Sequence, residues 1–109
     1  MSGDNKPLAV GDVLYLHDHV TRFSKKDTRR WCIVTAIIGG DVRVAGRSTT
    51  RQDGVPVPET AMKEFDKDGW VPSPAVRISR AEADAVQNIG SLPDHYRDQV
   101  LFFLNEDLG

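Results

Sequence analysis

The sequence predicts a small α+β protein, mainly β, built as a partly open β-barrel with helices at its C-terminal end. Two observations predict this class. Short runs rich in Val, Ile and aromatic residues, separated by Gly, Asp and Pro, are typical of strands joined in hairpin order. Helical start signals are concentrated after residue 78. Strands followed by helices favour an antiparallel sheet with helices gathered at one end.

Length and composition limit the class of protein. The chain has 109 residues, of which 39% are hydrophobic and 28% charged. We therefore expect one globular domain over residues 1–109, with residues 1–9 as a flexible lead-in. No apolar run approaches the roughly 20 residues that span a bilayer, and no signal-peptide segment is evident. Cys32 is the single cysteine, which excludes an internal disulfide. We expect a cytoplasmic protein without membrane contact.

The first half of the chain predicts three strands. In residues 13–17, valine and tyrosine alternate with two leucines, so both faces of the strand should be covered. Residues 18–30 are polar and basic and predict a long loop. Residues 31–38 predict a central strand, which a tight turn at residues 39–41 connects to a return strand at residues 42–46.

The second half predicts shorter elements. Residues 47–54 form a loop, residues 55–58 a short or edge strand, residues 59–65 one or two helical turns, and residues 70–71 and 75–78 further strands. A capping box at Ser79 begins a short helix. The last helix should start around residues 91–94, with Pro93 at the first helical position, and end near residue 107. The residues of its predicted apolar stripe are Tyr96, Val100, Phe103 and Leu104. Leu101 and Phe102 widen this stripe.

Charge is unevenly distributed along the chain. The formal net charge is −2, yet residues 20–51 carry +6, residues 1–19 carry −2 and residues 52–109 carry −6. A basic segment within a weakly acidic chain is a candidate anion-binding surface, although an ordinary solvated face has the same composition.

Arginines and hydroxyl groups border the predicted central hairpin. Arg29 and Arg30 precede the central strand, and Ser48, Thr49 and Thr50 follow the return strand. The start of one strand lies beside the end of its antiparallel partner, so Arg30 and Ser48 could share one edge. A guanidinium beside a hydroxyl can hold a phosphate, although both residue types are also common on surfaces.

Other residues with possible chemistry give weaker signals. His17 and His19 could act as acid or base near a phosphate, but too few partners exist for a zinc site. His95 should face solvent on the last helix, Cys32 should be buried and inert, and Trp31 and Trp70 should pack in the core or at its rim rather than stack on bases. Asp12 should start the first strand. The common nucleotide, metalloprotease and hydrolase motifs are absent from the sequence.

Four segments, in this order and spacing, resemble the MazF/PemK family of toxins from bacterial toxin–antitoxin systems. They are the opening GDVLY of residues 11–15, the RRWCIV of residues 29–34, the VAGRST of residues 44–49, and the IGSLP of residues 89–93 with the apolar residues that follow. Trp31 stands where the family has proline. Residues 18–29 lack the family's Gly-Ser-Glu pattern, so the family's RNA sequence preference does not transfer.

The resemblance implies an SH3-like barrel, a homodimer, a cognate antitoxin partner, and a metal-independent endoribonuclease that acts on single-stranded mRNA without a cofactor. It implies catalytic roles for Arg30 and for Ser48 or Thr49, with His17 as a candidate acid or base. The cations expected to contact RNA are Arg22, Lys25, Lys26, Arg29, Arg47, Arg51 and His19.

Two other functions fit the sequence. The first is a toxin on the same scaffold with a non-nucleolytic target, such as a gyrase inhibitor of the CcdB type, with its determinants at Leu101 and Phe102 of the last helix. The second is a barrel that binds nucleic acid or protein without catalysing a reaction. A ribonuclease requires Arg30, a gyrase inhibitor does not, and a binding module would lose only salt-sensitive affinity without it.

Overall fold

The computed structural model describes residues 7–23, 28–72 and 75–104. Within them the fold is a small α+β arrangement, mainly β, which confirms the coarse class, whereas the barrel stays a prediction. The strands are β1 (Asp12–His17), β2 (Arg29–Ile38), β3 (Asp41–Gly46), β4 (Val55–Val57), β5 (Gly69–Val71), β6 (Val76–Ser79) and β7 (Asn88–Ser91). The helices are α1 (Asp18–Thr21), α2 (Arg80–Asp84) and α3 (Asp94–Phe103), with a 3-10 turn at Glu59–Ala61.

Five of the described strands form one antiparallel sheet in the order β6-β3-β2-β1-β7. The predicted central strand is indeed central: β2 pairs with β1 on one side and with β3 on the other. Gly39, at a φ of 59°, makes the turn between β2 and β3, a conformation that glycine adopts at little cost. The β2–β3 hairpin prediction is therefore confirmed.

Apolar side chains lie on both faces of the sheet. Val13 and Ile33 belong to a core that also contains Val57, Val71 and Val100. The alternate residues of the same strands pack into a second core, which contains Leu14, Leu16, Cys32, Val34, Val44 and Ile78. Both faces of β1 are therefore covered, as the alternation in residues 13–17 predicts.

A separate two-stranded ribbon, β4–β5, lies beside the first core. Its connection to the large sheet is an isolated bridge between Ser48 and Trp70, with Ser48 N donating to Trp70 O at 2.7 Å and Trp70 N donating to Ser48 O at 2.8 Å. The chain entering β4 passes very close to β5 at Gly54, which has a φ of 88°. A Cβ at this glycine would lie 2.0 Å from the carbonyl oxygen of Val71.

Replacing Gly54 with alanine is expected to lower the free energy of unfolding by about 2 kcal/mol, because the added methyl meets backbone and the positive φ disfavours an L side chain. Urea unfolding of both proteins measures the change. Gly39→Ala is the matched control, since Gly39 also has a positive φ but nothing lies within 4 Å of its added Cβ. Equal losses for the two variants would contradict the close approach at Gly54.

Two element boundaries differ from the sequence prediction. Residues 18–30 are not a continuous loop: α1 forms directly after β1, and Arg29 and Arg30 already belong to β2. Residues 88–91, which carried no strand signal, form β7 at the sheet edge beside β1. Pairing with β1 supplies the hydrogen bonds that make these residues a strand, and this is a long-range effect that local sequence does not contain.

The last helix is also corrected. It begins at Asp94, with Pro93 just before its first residue, while Ser91 ends β7. Leu101 is buried, whereas Phe103, assigned to the apolar stripe, is 45% exposed. The predicted extension to residue 107 lies outside the described residues. No helix in the described ranges has both the length and the apolar character needed to cross a membrane.

Candidate functional site: an arginine held by a buried carboxylate

Arg30 lies at the start of β2 and is held by a buried carboxylate. Its Nε donates to Asp18 Oδ1 at 2.8 Å, and its Nη2 donates to Asp18 Oδ2 at 3.0 Å. The Asp18 side chain is 0% exposed, whereas the Arg30 side chain is 27% exposed. This bidentate geometry fixes the plane of the guanidinium as well as its position.

The local fold explains why Asp18 faces inward. After β1 the chain makes the single turn α1 and leaves it at Arg22, which adopts a left-handed φ of 64°. Arg22 N donates to Asp18 O at 2.6 Å, and Asp18 N donates to Thr28 O at 2.7 Å. The Thr28 hydroxyl donates to Asp18 Oδ2 at 2.6 Å. Hydrogen bonds to Arg22 and Thr28 therefore fix both the backbone and the side chain of Asp18.

Phe23 and Gly46 complete the surroundings of Arg30. The Arg30 guanidinium carbon lies 5.5 Å from the centre of the Phe23 ring, close enough for a cation–π contact. Both side chains pack closely against Gly46. A Cβ added at this glycine would lie 2.8 Å from Phe23 Cε2 and 3.1 Å from Arg30 Cδ. A larger residue in place of Gly46 would displace the Phe23 ring and crowd the Arg30 side chain.

The electrostatics of the pair favour the ionised form of Asp18. Burial alone raises the pKa of Asp18, but the hydrogen bonds from Arg30 and Thr28 and the positive charge of Arg30 outweigh it, so the pKa lies below its ordinary value. Arg30 uses two of its five N–H groups on Asp18. The edge formed by Nη1 and the second Nη2 hydrogen makes no hydrogen bond to the described residues, and it can receive an oxyanion.

Ser48 lies at the same end of the sheet as Arg30. The β2–β3 pairing ends with Cys32 opposite Gly46, Arg47 N still donates to Trp31 O at 2.9 Å, and Ser48 then pairs with Trp70 of the ribbon. The Ser48 side chain is nearly buried, and its Oγ accepts from Thr50 N at 3.3 Å and Arg51 N at 3.1 Å. It also lies 3.3 Å from Thr50 Oγ1. Thr49 is exposed at the turn that these bonds form.

The histidines approach from the other face of the sheet. His17 pairs with Arg29, so strand alternation places both on the face of Tyr15 and Trp31, opposite to Arg30. His17 Nδ1 accepts from His19 N at 3.1 Å, and the two imidazole rings are 4.3 Å apart. His17 therefore caps α1 beside Asp18.

The predicted RNA-contacting cations separate into distinct groups. Arg22, Arg29 and His19 are exposed. Arg51 is exposed and paired with Asp53 at 3.0 Å. Lys25 and Lys26 lie outside the described residues.

Arg47 differs from these residues because it points inward. Its side chain is nearly buried: Nε donates to Val57 O at 2.9 Å, Nη2 donates to Lys67 O, and the guanidinium carbon lies 4.0 Å from the centre of the Phe65 ring. Arg47 holds the ribbon β4–β5 and does not belong to an RNA surface.

Asp12, at the opposite end of β1 from Asp18, is a second buried carboxylate. It accepts hydrogen bonds from Ala9 N, Asn88 Nδ2 and Ser91 Oγ, each at 3.0 Å. A groove of about 910 Å³ beside it is lined by the N-terminal segment, α2 and β7. Because its oxygens already accept three bonds, Asp12 has a structural role in joining β7 to β1.

The remaining candidates are placed away from the Arg30 cluster or are chemically quiet. Cys32 is fully buried, and burial raises the pKa of its thiol far above the ordinary value. Trp31 and Trp70 are half-buried, and Trp31 packs against Tyr15 in the first core. His95 is exposed on α3. No cluster of three or more His, Cys, Asp or Glu residues that could hold a metal is present in the described part of the chain.

No family model, curated protein or solved structure matches the chain. The site therefore has to be interpreted from its own geometry. Sequence reasoning missed Asp18, Thr28 and Phe23. A single acidic residue between two histidines and ahead of a basic segment gives no sequence signal that Asp18 is buried.

Proposed function

We propose that the protein is a metal-independent endoribonuclease that cleaves single-stranded RNA, and that it acts as the toxin of a toxin–antitoxin pair. The observation that carries the proposal is the guanidinium of Arg30, which Asp18 holds through Nε and Nη2 while its other Nη edge makes no hydrogen bond to the described residues. Ser48 and Thr49 follow β3, the strand that pairs with β2. The proposal includes an SH3-like barrel of the MazF/PemK type, a homodimer, and a cytoplasmic location.

The proposed reaction is an internal transesterification. The 2′-oxygen of one nucleotide attacks the adjacent phosphorus, the bond to the 5′-oxygen breaks, and the products carry a 2′,3′-cyclic phosphate and a 5′-hydroxyl. The proton of the 2′-hydroxyl passes to a general base, and the leaving 5′-oxygen gains a proton. Arg30 would stabilise the charge that builds on the non-bridging oxygens, because a fixed donor pair needs no reorganisation as that charge forms.

Each of the other site residues has a proposed role. Ser48 or Thr49 donates a hydroxyl hydrogen bond to a non-bridging oxygen. His17 is the acid or base that the sequence suggests, but its side chain lies on the face of the sheet opposite to Arg30. Arg22, Arg29, Arg51 and His19 contact the RNA backbone around the cleaved bond. An acidic antitoxin segment would compete for this basic surface and so block the site.

The test is cleavage of a mixed-sequence single-stranded RNA in EDTA by the parent protein, by Arg30→Lys and by Arg77→Lys. Lysine keeps a positive charge beside Asp18 but lacks the planar donor edge, so we expect Arg30→Lys to cleave about 100-fold more slowly. Arg77 is the matched control because its side chain is 74% exposed on the edge strand β6. Arg77→Lys should cleave at the parental rate, giving fragments with cyclic phosphate ends.

Three outcomes would count against the proposal. A folded parent protein that leaves RNA intact contradicts it directly. Cleavage that requires a divalent cation contradicts the proposed reaction. Equal cleavage by the parent protein and Arg30→Lys, prepared in the same way, would mean that Arg30 is not the phosphate-binding residue or that a contaminating nuclease cuts the RNA.

A second candidate function rests on Phe102. This residue is 86% exposed on α3, although Leu101, its partner in the sequence hypothesis, is buried. An exposed aromatic side chain favours contact with a protein target, as in a gyrase-inhibiting toxin. Growth arrest that survives Arg30→Lys but is lost in Phe102→Ser would favour this candidate over the ribonuclease.

A further inference from the structure

Asp18 has no assigned part in the proposed reaction, yet it contacts Arg30 directly. No sequence motif indicates this contact. Both of its carboxylate oxygens accept from the same guanidinium, and Thr28 donates to one of them at 2.6 Å. The carboxylate is 0% exposed and lies too deep to meet RNA itself. Its influence on an RNA phosphate must therefore act through Arg30.

We propose that Asp18, anchored by Thr28, is the positioning residue that aims the Nη edge of Arg30 at the cleaved phosphodiester. This inference rests on the proposed function and assigns a residue to it. A guanidinium on a flexible side chain can rotate away from a phosphate, and holding it by its Nε edge removes that freedom before RNA binds. Phe23 and Gly46 limit the same rotation from the ring face and from the strand below.

The competing explanation is an ion pair that only stabilises the fold. Asp12 makes the two explanations distinguishable. It begins the strand that Asp18 follows, is also buried, and also accepts three hydrogen bonds, but it lies about 20 Å from Asp18 at 3.3 Å per residue. Asp12→Asn therefore removes a similar buried carboxylate without touching Arg30.

The experiment compares the parent protein, Asp18→Asn and Asp12→Asn at a temperature where each is folded. Two quantities are measured: single-turnover cleavage of a mixed-sequence RNA, and binding of a fully 2′-O-methylated RNA that cannot be cleaved. For Asp18→Asn we expect cleavage about 30-fold slower, because the donor edge is misaligned. We expect its binding to stay within about threefold, because removing a negative charge does not weaken attraction to phosphate. Asp12→Asn should match the parent protein in both.

Three results would overturn the positioning role of Asp18, and the third would also overturn the proposed function. If the parent protein cleaves and Asp18→Asn cleaves equally well, the positioning role is wrong and the proposed function stands. If cleavage falls equally in Asp12→Asn and Asp18→Asn, the ion pair is only structural and the inference is again overturned. A parent protein that does not cleave RNA overturns both proposals together.

Thr28→Val keeps the inference testable should Asp18→Asn fail to fold. Thr28 is exposed, so losing its hydroxyl threatens the fold less, but the substitution removes the hydrogen bond to Asp18 Oδ2. We expect cleavage about threefold slower with unchanged binding of the methylated RNA, because Asp18 loses one hydrogen bond but keeps both bonds from Arg30. A parental rate for this variant would overturn the positioning role.

Discussion

Arg30→Ala is expected to slow RNA cleavage about 1,000-fold and to lower the free energy of unfolding by about 3 kcal/mol. The two losses have different causes. Cleavage falls because the donor edge that faces the phosphate is removed. Stability falls because Asp18, which is 0% exposed, is left buried without its cation. The Arg30 side of the pair is partly solvated, so the stability loss belongs at the lower end of the range for broken buried pairs.

A double variant separates the two effects of Arg30. Adding Asp18→Asn to Arg30→Ala removes the uncompensated charge, so about 2 kcal/mol of the lost stability should return. Cleavage should not return, because no guanidinium is present. Urea unfolding and single-turnover cleavage of the two single variants and the double variant complete the cycle.

The result that contradicts this account is a stable Arg30→Ala protein. Unfolding within about 0.5 kcal/mol of the parent protein would mean that Asp18 gains another partner or is solvated, since exposed ion pairs contribute little. Recovery of cleavage in the double variant would place the catalytic positive charge elsewhere on the basic surface. Exposed Arg29, next to Arg30 in the chain, would then be the first residue to test.

The parts of the fold that sequence predicts are those set by local periodicity. Alternation in residues 13–17 places Val13 and Leu14 in different cores, and the Gly39–Gly40 turn defines the central hairpin. These features depend on neighbours in the chain. The strand β7 depends instead on hydrogen bonds from β1, more than 70 residues earlier, and local sequence carries no trace of that pairing.

In the candidate site, too, some residues can be placed from their neighbours in the chain, whereas others depend on the complete fold. The sequence could place Arg30 and Ser48 at the same end of the hairpin, because β2 and β3 are antiparallel partners. In the structure Ser48 pairs with Trp70 of the ribbon. Asp18 could not be placed from sequence, since a single acidic residue in a polar, basic stretch has the pattern of a solvated loop. Its burial results from α1 and from Thr28, which close on it from both sides. A residue that orients another side chain is therefore visible only once the fold is known.

For Arg47 the sequence prediction is wrong in the opposite direction. The sequence indicates an exposed residue, whereas the fold buries it. Its position in a basic, hydroxyl-rich stretch favours RNA contact. Strand alternation along β3 instead directs its side chain to the face of Ala45 and the first core. There it donates to carbonyl oxygens of Val57 and Lys67. Burial lowers the pKa of Arg47, and the charges of Asp68 and Asp66 act in the opposite direction.

Arg47→Ala is therefore expected to be among the most destabilising substitutions in the chain, lowering the free energy of unfolding by about 4 kcal/mol. The buried carbonyl oxygen of Val57 loses its donor, at about 1–3 kcal/mol, the part-buried carbonyl oxygen of Lys67 loses a second hydrogen bond, and the contact with the Phe65 ring is also lost. Arg47→Met should recover about 1 kcal/mol, because its chain refills part of the space without restoring the hydrogen bonds. Urea unfolding measures both variants.

Arg51→Ala is the control that separates this structural role from RNA contact. Arg51 is 62% exposed and pairs only with an exposed Asp53 among the described residues, so its loss should change stability by less than about 0.5 kcal/mol. It should, however, reduce the salt dependence of binding to methylated RNA by about 0.7 in the slope of log K against log salt. Arg47→Ala, measured where it is folded, should leave that slope unchanged. A slope that falls for Arg47→Ala with stability intact would return Arg47 to the RNA surface and contradict its inward placement.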